Sequence, residues 1–162
     1  MKKVCIYIII VFSVFIINVN AENLNGLVTV DGNTYYYKDG VKQSGWQEID
    51  GAKYYFDLNT KERYQGIREV DGKSYFFGIK YGKIMKGWLN YNGLTYYMNE
   101  DGETSSGVTK IGNTPYFFGI TTKKLMVGPR TISYQGDLYY TNKDGILQTG
   151  MQKIGDKWYY FD

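Results

Sequence analysis

The sequence predicts an all-β protein, a solenoid of tandem β-hairpin repeats of about 20 residues each, and three observations predict it. Glycines recur in phase, Asp-Gly or Asn-Gly pairs follow the early ones at a fixed distance, and runs of three aromatic or near-aromatic residues come next. The in-phase glycines are Gly26, Gly45, Gly66, Gly87, Gly107, Gly128 and Gly150, at intervals of 19, 21, 21, 20, 21 and 22. Such a period marks units that cannot bury a core alone and must stack on their neighbours. A helical reading fails, because frequent glycine and runs of tyrosine give no 3.6-residue period.

The elements follow in chain order. Lys2 and Lys3 precede an apolar run from Val4 to Ile17, and Val19-Asn20-Ala21 supplies small-residue spacing. This predicts a signal peptide over residues 1–21, cut after Ala21. The run is too short for a membrane anchor, which needs about 20 apolar residues, so no membrane span is expected after its removal. Cys5, the single cysteine of the chain, lies inside it. An exported chain without disulfides suits a bacterial protein better than a small disulfide-stapled domain. Residues 22–162 are then expected to form a single repeat domain, its seven hairpins starting near residues 26, 45, 66, 87, 107, 128 and 150.

Each repeat reads as a hairpin. Asp31-Gly32, Asp50-Gly51, Asp71-Gly72 and Asn92-Gly93 tolerate positive φ at both centres of a type I′ turn, and each is flanked by β-branched or aromatic residues. The order is reversed at Gly112-Asn113 and Gly155-Asp156, which predicts a different turn type there. Repeat six departs most: Pro129 stands where Trp46 stands in repeat two, and two extra residues precede Gln135-Gly136, which predicts a distorted or longer first strand. Pro115 falls early in a second strand, where its missing donor must face no partner. A two-residue turn at Asp50-Gly51 sets the register: Ile49 opposite Ala52, Glu48 opposite Lys53, Gln47 opposite Tyr54 and Trp46 opposite Tyr55. One face then carries Trp46 with Tyr55, the other Tyr54 and Phe56. The same assignment sets Trp88 against Tyr97.

The 162 residues include no histidine, so Ser-His-Asp and Cys-His machinery is absent and enzyme readings lose most of their ground. Asp31, Asp50 and Asp71 sit at turns for backbone reasons rather than catalysis. No catalytic residue, metal or cofactor is expected; Asp101-Gly102 and Asp144-Gly145 read as turns, with weak calcium binding by the run Asn99, Glu100 and Asp101 as the alternative. A formal charge of +3 with scattered lysines gives no basic face for nucleic acid. Aromatic residues make up 18% of the chain, and most should serve core and inter-repeat packing.

The string GWQEIDGAKYYFD, Gly45 to Asp57, resembles the cell-wall-binding repeat family. Its members include choline-binding modules of Gram-positive surface proteins and the C-terminal repeats of large clostridial toxins. The resemblance runs from Gly26 to Asp162 and implies a superhelix of β-hairpins with ligand sites between consecutive repeats. In choline-binding members those sites are aromatic cages that hold a quaternary ammonium by cation–π attraction. The Gly-Trp position is matched by Trp46 and Trp88, and the second tryptophan, before the tyrosine pair, by Trp158 alone. The YYF and YFF triplets resemble the toxin branch, which implies packing of carbohydrate on ring faces. Trp46, Tyr55, Trp88, Tyr97 and Trp158 are therefore the expected ligand-binding residues. The expected function is a secreted, cell-wall-associated, non-catalytic module for cell-wall polymer (teichoic acid or glycan) or host surface carbohydrate. A choline-binding anchor and a structural assembly protein are the alternatives, and exposed terminal hairpins would allow a homodimer.

Overall fold

The computed structural model describes residues 24–162, together with the backbone of β1 (Cys5–Ile6) and β2 (Val19–Asn20), which pair as antiparallel strands. The signal peptide expected over residues 1–21 otherwise lies outside the described residues. From Gly26 onward the chain is a series of two-stranded hairpins: β3 (Gly26–Val30) with β4 (Asn33–Lys38), β6 (Gly45–Ile49) with β7 (Ala52–Phe56), and β8 (Gly66–Val70) with β9 (Lys73–Phe77). Then come β10 (Gly87–Tyr91) with β11 (Leu94–Met98), β12 (Gly107–Ile111) with β13 (Thr114–Phe118), β14 (Arg130–Tyr134) with β15 (Asp137–Thr141), and β16 (Gly150–Ile154) with β17 (Lys157–Phe161). The short β5 (Val41–Lys42) returns along β4. No helix occurs among the described residues. The described residues fall into two compact units, one running through Arg68 and taking in Phe76–Ile84, the other formed by Glu69–Tyr75 and Met85–Asp162.

Dipeptide order decides the turns. Asp31, Asp50, Asp71 and Asn92 have φ of 50°, 51°, 52° and 52°, and the glycine after each is also positive, as a type I′ turn requires. At Gly112 and Gly155 the first centre alone is positive, at 59° and 61°, which is the type II′ pattern. The predicted register holds residue for residue, with Trp46 opposite Tyr55 and Ile49 opposite Ala52, and Trp88 opposite Tyr97 in β10 and β11.

Repeat six corrects the sequence expectation. Its first strand, β14, is five residues long like the others, and the extra residues stand before it. Gln135-Gly136 forms a two-residue turn with φ of 55° and 90°, so pairing is counted outward from the turn and Arg130, not Gly128, opposes Thr141. Pro129, lacking an N–H, falls outside the ladder.

The core is built from one position per repeat. The residue that ends each aromatic run sits opposite the strand-opening glycine: Tyr37 opposite Gly26, Phe56 opposite Gly45, Met98 opposite Gly87, Phe118 opposite Gly107 and Phe161 opposite Gly150. All are buried, Phe56, Met98 and Phe118 completely so, and Phe77 at the end of β9 is equally enclosed. Thr141 holds this place in repeat six, and its hydroxyl donates to the Gly128 carbonyl at 2.9 Å, so the displaced glycine satisfies the polar group that its own repeat buries.

Within each unit a second set of bonds ties a repeat to its predecessor. After each hairpin the chain returns, and a backbone N–H donates to a carbonyl one repeat back. In the first unit Arg63 donates to Thr34 and Ile84 to Lys53; in the second Thr104 donates to Ser74, Leu125 to Thr95 and Leu147 to Pro115, all at 2.7–2.9 Å. This explains Pro115. It faces Lys110 next to the turn-closing pair Ile111 and Thr114, hence in a non-hydrogen-bonded place of the ladder, where only its carbonyl is needed.

Candidate functional site

Alternation along each first strand turns the residue after the glycine outward, and this places the tryptophans. In the first unit Trp46 keeps 38% of its surface exposed while lying edge-on to Tyr55, at 5.2 Å between centroids and 77° between planes. Tyr55 is buried, so it is a floor under the tryptophan rather than an accessible face. Phe77 from the next hairpin lies 5.9 Å from Trp46, and Tyr64 from the connecting loop lies 4.8 Å from Tyr55 and 5.8 Å from Phe77. Four rings thus hold one another, each pair worth about 0.5–1.5 kcal/mol beyond area burial. The indole is exposed yet held in place by its neighbours.

The second unit repeats the arrangement. Trp88 is 45% exposed, with Tyr97 at 5.1 Å and 61°, Tyr116 at 5.1 Å and 74°, and Phe118 at 5.9 Å. Phe118 does here what Phe77 does under Trp46. Trp158 differs: it faces Lys153 across the last hairpin, is 62% exposed, and joins no ring cluster among the described residues. The structure therefore brings Trp46 together with Tyr55 and Trp88 together with Tyr97, and leaves Trp158 apart.

Sequence reasoning did not reach Tyr64, Phe77, Tyr116 and Phe118 as parts of these clusters. The signal for Tyr64 is its spacing two residues before the next glycine, Gly66. Its N–H donates to the Tyr55 carbonyl, and Ser105, equally placed before Gly107, donates to Tyr97 in the same way. A repeat thus offers one tail position, filled by a ring beside Trp46 and by a hydroxyl after Tyr97.

Around Tyr64 the surface becomes polar. Its hydroxyl donates to Asp57 Oδ2 at 3.1 Å, while Asp57 Oδ1 accepts the N–H groups of Asn59 and Thr60 at 2.8 and 2.9 Å. Those backbone donors, Thr60 first, hold the Asp57 carboxyl below the ordinary aspartate range. Burial and then the Asp57 contact push the Tyr64 phenol up. Arg68 lies over the Tyr64 ring with its guanidinium carbon 5.9 Å from the centroid. Arg63 donates to the carbonyls of Tyr81 and Lys80 at 3.0 and 3.2 Å, its Nε is buried without a partner among the described residues, and desolvation lowers its pKa.

The polar side chains that open these turns have structural work: the amide oxygens of Asn99 and Asn142 accept nearby backbone N–H groups as the Asp57 carboxylate does. Among the described residues no group of three or more His, Cys, Asp or Glu side chains is placed to hold a metal.

Comparison with known proteins agrees with this geometry. Residues 25–40, 44–59, 86–103 and 149–162 match the putative cell wall binding repeat, which are the first, second, fourth and seventh hairpins. No curated protein matches the chain by sequence. Among solved structures, choline binding protein F from Streptococcus pneumoniae, determined in the presence of a peptidoglycan analogue, is 26% identical with a TM-score of 0.68, covering 85% of this chain and 49% of that one. CbpJ from the same organism is 24% identical with a TM-score of 0.67, over 85% of this chain and 50% of that one. CbpF in complex with ipratropium superposes with a TM-score of 0.73 at 22% identity, over 93% and 50%. The chain spans about half the length of these proteins. Four of the seven hairpins thus match the cell wall binding repeat, and the all-β tandem-hairpin fold is similar to that of the choline-binding proteins.

Proposed function

We propose that the chain is a secreted, non-catalytic binding module, associated with the bacterial cell wall, that recognises a wall polymer or surface carbohydrate at its ring-lined crevices. The observation that carries this reading is the pair of equivalent clusters: Trp46 and Trp88 expose a large apolar ring while each is held within a cluster of four rings. An exposed, pre-organised indole loses little freedom when a ligand settles on it. The same ring face accepts a sugar C–H face or a quaternary ammonium. Its capacity for cations has an internal parallel in Lys42, whose ammonium lies 3.4 Å from the Tyr35 centroid. Single sites of this kind are weak, and two along one chain give avidity for a repeating polymer such as teichoic acid or glycan.

Binding of intact walls, teichoic acid, choline and a glycan array by the wild type and by Trp46→Ala and Trp88→Ala tests the reading. Each variant keeps its far-UV circular dichroism and loses binding, and the double variant loses the avidity. Undiminished binding by the double variant overturns the assignment. A second reading, assembly through protein contacts, is favoured by the last hairpin, where Met151, Trp158 and Tyr160 are 58%, 62% and 70% exposed on one face. Sedimentation of the wild type beside Tyr160→Ser separates a homodimer from a monomer.

A further inference from the structure

The geometry points to a second compartment beside the Trp46 crevice: the polar cleft around Tyr64 is a subsite for an uncharged, hydroxyl-bearing sugar ring. The inference rests on the carbohydrate form of the reading above and adds the residues that would read the hydroxyls. The cleft holds about 420 Å³, within the range of small-molecule sites, and all of it lies in the first unit. Asn33, Asp57, Glu62, Gln65 and Arg68 line it around Tyr64.

Its chemistry suits hydroxyls better than ions. Asp57 and Glu62 set two carboxylates against the guanidinium groups of Arg63 and Arg68, so no single sign of charge dominates. The N–H groups of Thr60 and Asn59 hold the Asp57 carboxyl below the ordinary aspartate range, and its negative charge opposes a phosphate. Its Oδ2 accepts the Tyr64 hydroxyl and the Thr60 side chain also bonds the carboxylate, whereas Glu62 Oε1 accepts only the Asn33 side-chain amide, at 3.0 Å, among the described residues. Glu62 therefore retains acceptor capacity for a ligand O–H, Asp57 holds the Tyr64 wall in place, and Asn33, Gln65 and Arg68 can donate to a ligand oxygen. Vicinal hydroxyls on a pyranose, each both donor and acceptor, match such a mixed set.

The position fits as well. Tyr64 belongs to both compartments, packing on Tyr55 and Phe77 on one side and lining the cleft on the other. Its ring is pinned at the hydroxyl by Asp57, so the wall between crevice and cleft is preset. A chain of sugars with one ring on Trp46 could place a neighbouring residue in the cleft. The Trp88 cluster has Ser105 in the place of Tyr64, so this compartment is specific to the first unit.

The test is site-resolved NMR on the full chain, with tetramers of glucose, galactose and N-acetylglucosamine as sugar probes and choline as the cation probe. The side-chain N–H signals of Asn33, Gln65 and Arg68 report the cleft, and the indole N–H signals of Trp46 and Trp88 report the crevices. At least one sugar is expected to move the cleft signals. Asn33→Ala and Glu62→Ala should each weaken that response about tenfold, while the Trp46 response to choline, where present, is unchanged. If sugars move only the indoles, the cleft is not a subsite and the binding reading above survives. If choline alone moves the indoles, the cleft falls and the crevices are cation sites. If neither probe moves any reporter, both the cleft and its parent reading fail.

Discussion

Gly82→Ala offers the most direct check on how the first unit is packed. Gly82 is buried in the turn after β9 with φ of +69°, and an alanine there pays for left-handed backbone by about 1–2 kcal/mol. A further effect comes from Arg63. A Cβ on residue 82 would lie 2.3 Å from its Cδ, 2.4 Å from its Nε and 2.9 Å from its Cγ. These are mid-chain atoms of a side chain whose guanidinium is fastened to the Tyr81 and Lys80 carbonyls. Relief requires Arg63 to withdraw and give up both bonds, which at a half-buried position adds about 1–2 kcal/mol. Gly82→Ala should therefore destabilise by about 3 kcal/mol in the wild-type background, but only by about 1–2 kcal/mol when Arg63→Ala is already present. Urea unfolding of the four proteins, followed by tryptophan fluorescence and compared at equal m-value, yields the coupling directly. Equal losses in both backgrounds would refute the contact between Arg63 and the Gly82 turn.

Three more outcomes follow from the structure. Phe118→Ala, at a fully buried site, should lower stability by about 3–5 kcal/mol, whereas Trp158→Ala should stay within about 0.5 kcal/mol, both read from denaturant midpoints. Asn92→Val places a β-branched residue at φ of 52° and should destabilise by about 1–2 kcal/mol; Gly112→Asn combined with Asn113→Gly exchanges one permitted hairpin turn for another and should be near neutral by the same assay. The Asp57 pKa is depressed in the folded chain, so its stabilising contribution is complete above the ordinary aspartate value of about 3.9 and is lost as pH falls through the lower folded value. The stability gap between wild type and Asp57→Ala should accordingly narrow in acid, and a gap that widens below pH about 3.9 would contradict the hydrogen bonding seen at Thr60 and Asn59.

Hairpins, registers and turn types were legible in the sequence because each depends on residues close in the chain. An Asp-Gly or Gly-Asn pair selects the sign of φ at its own two centres, and counting outward from it sets Trp46 against Tyr55. Repeat six misled because an insertion between a glycine and a turn can enter the strand or precede it. The turn controls the count, and so the residues fell before Arg130. What lay beyond local reading was the partner from the following repeat. Phe77 under Trp46 and Phe118 under Trp88 depend on how hairpins stack, which no dipeptide encodes. Tyr64 differs: its spacing before Gly66 marks the tail position, but Ser105 and Met126 fill the equivalent places, so the repeat pattern does not ask for a ring there.

The backbone bonds that link a repeat to its predecessor draw on carbonyls of Thr34, Lys53, Ser74, Thr95 and Pro115, a position that accepts a hydroxyl, an ammonium or a proline ring alike. Cohesion that ignores side-chain identity leaves the outward residue after each glycine open to change: Leu27, Trp46, Trp88, Val108 and Met151 are all exposed there. A point substitution at such a place can create or abolish a crevice without disturbing its neighbours' attachment. The scaffold can thus diversify its specificity one cassette at a time.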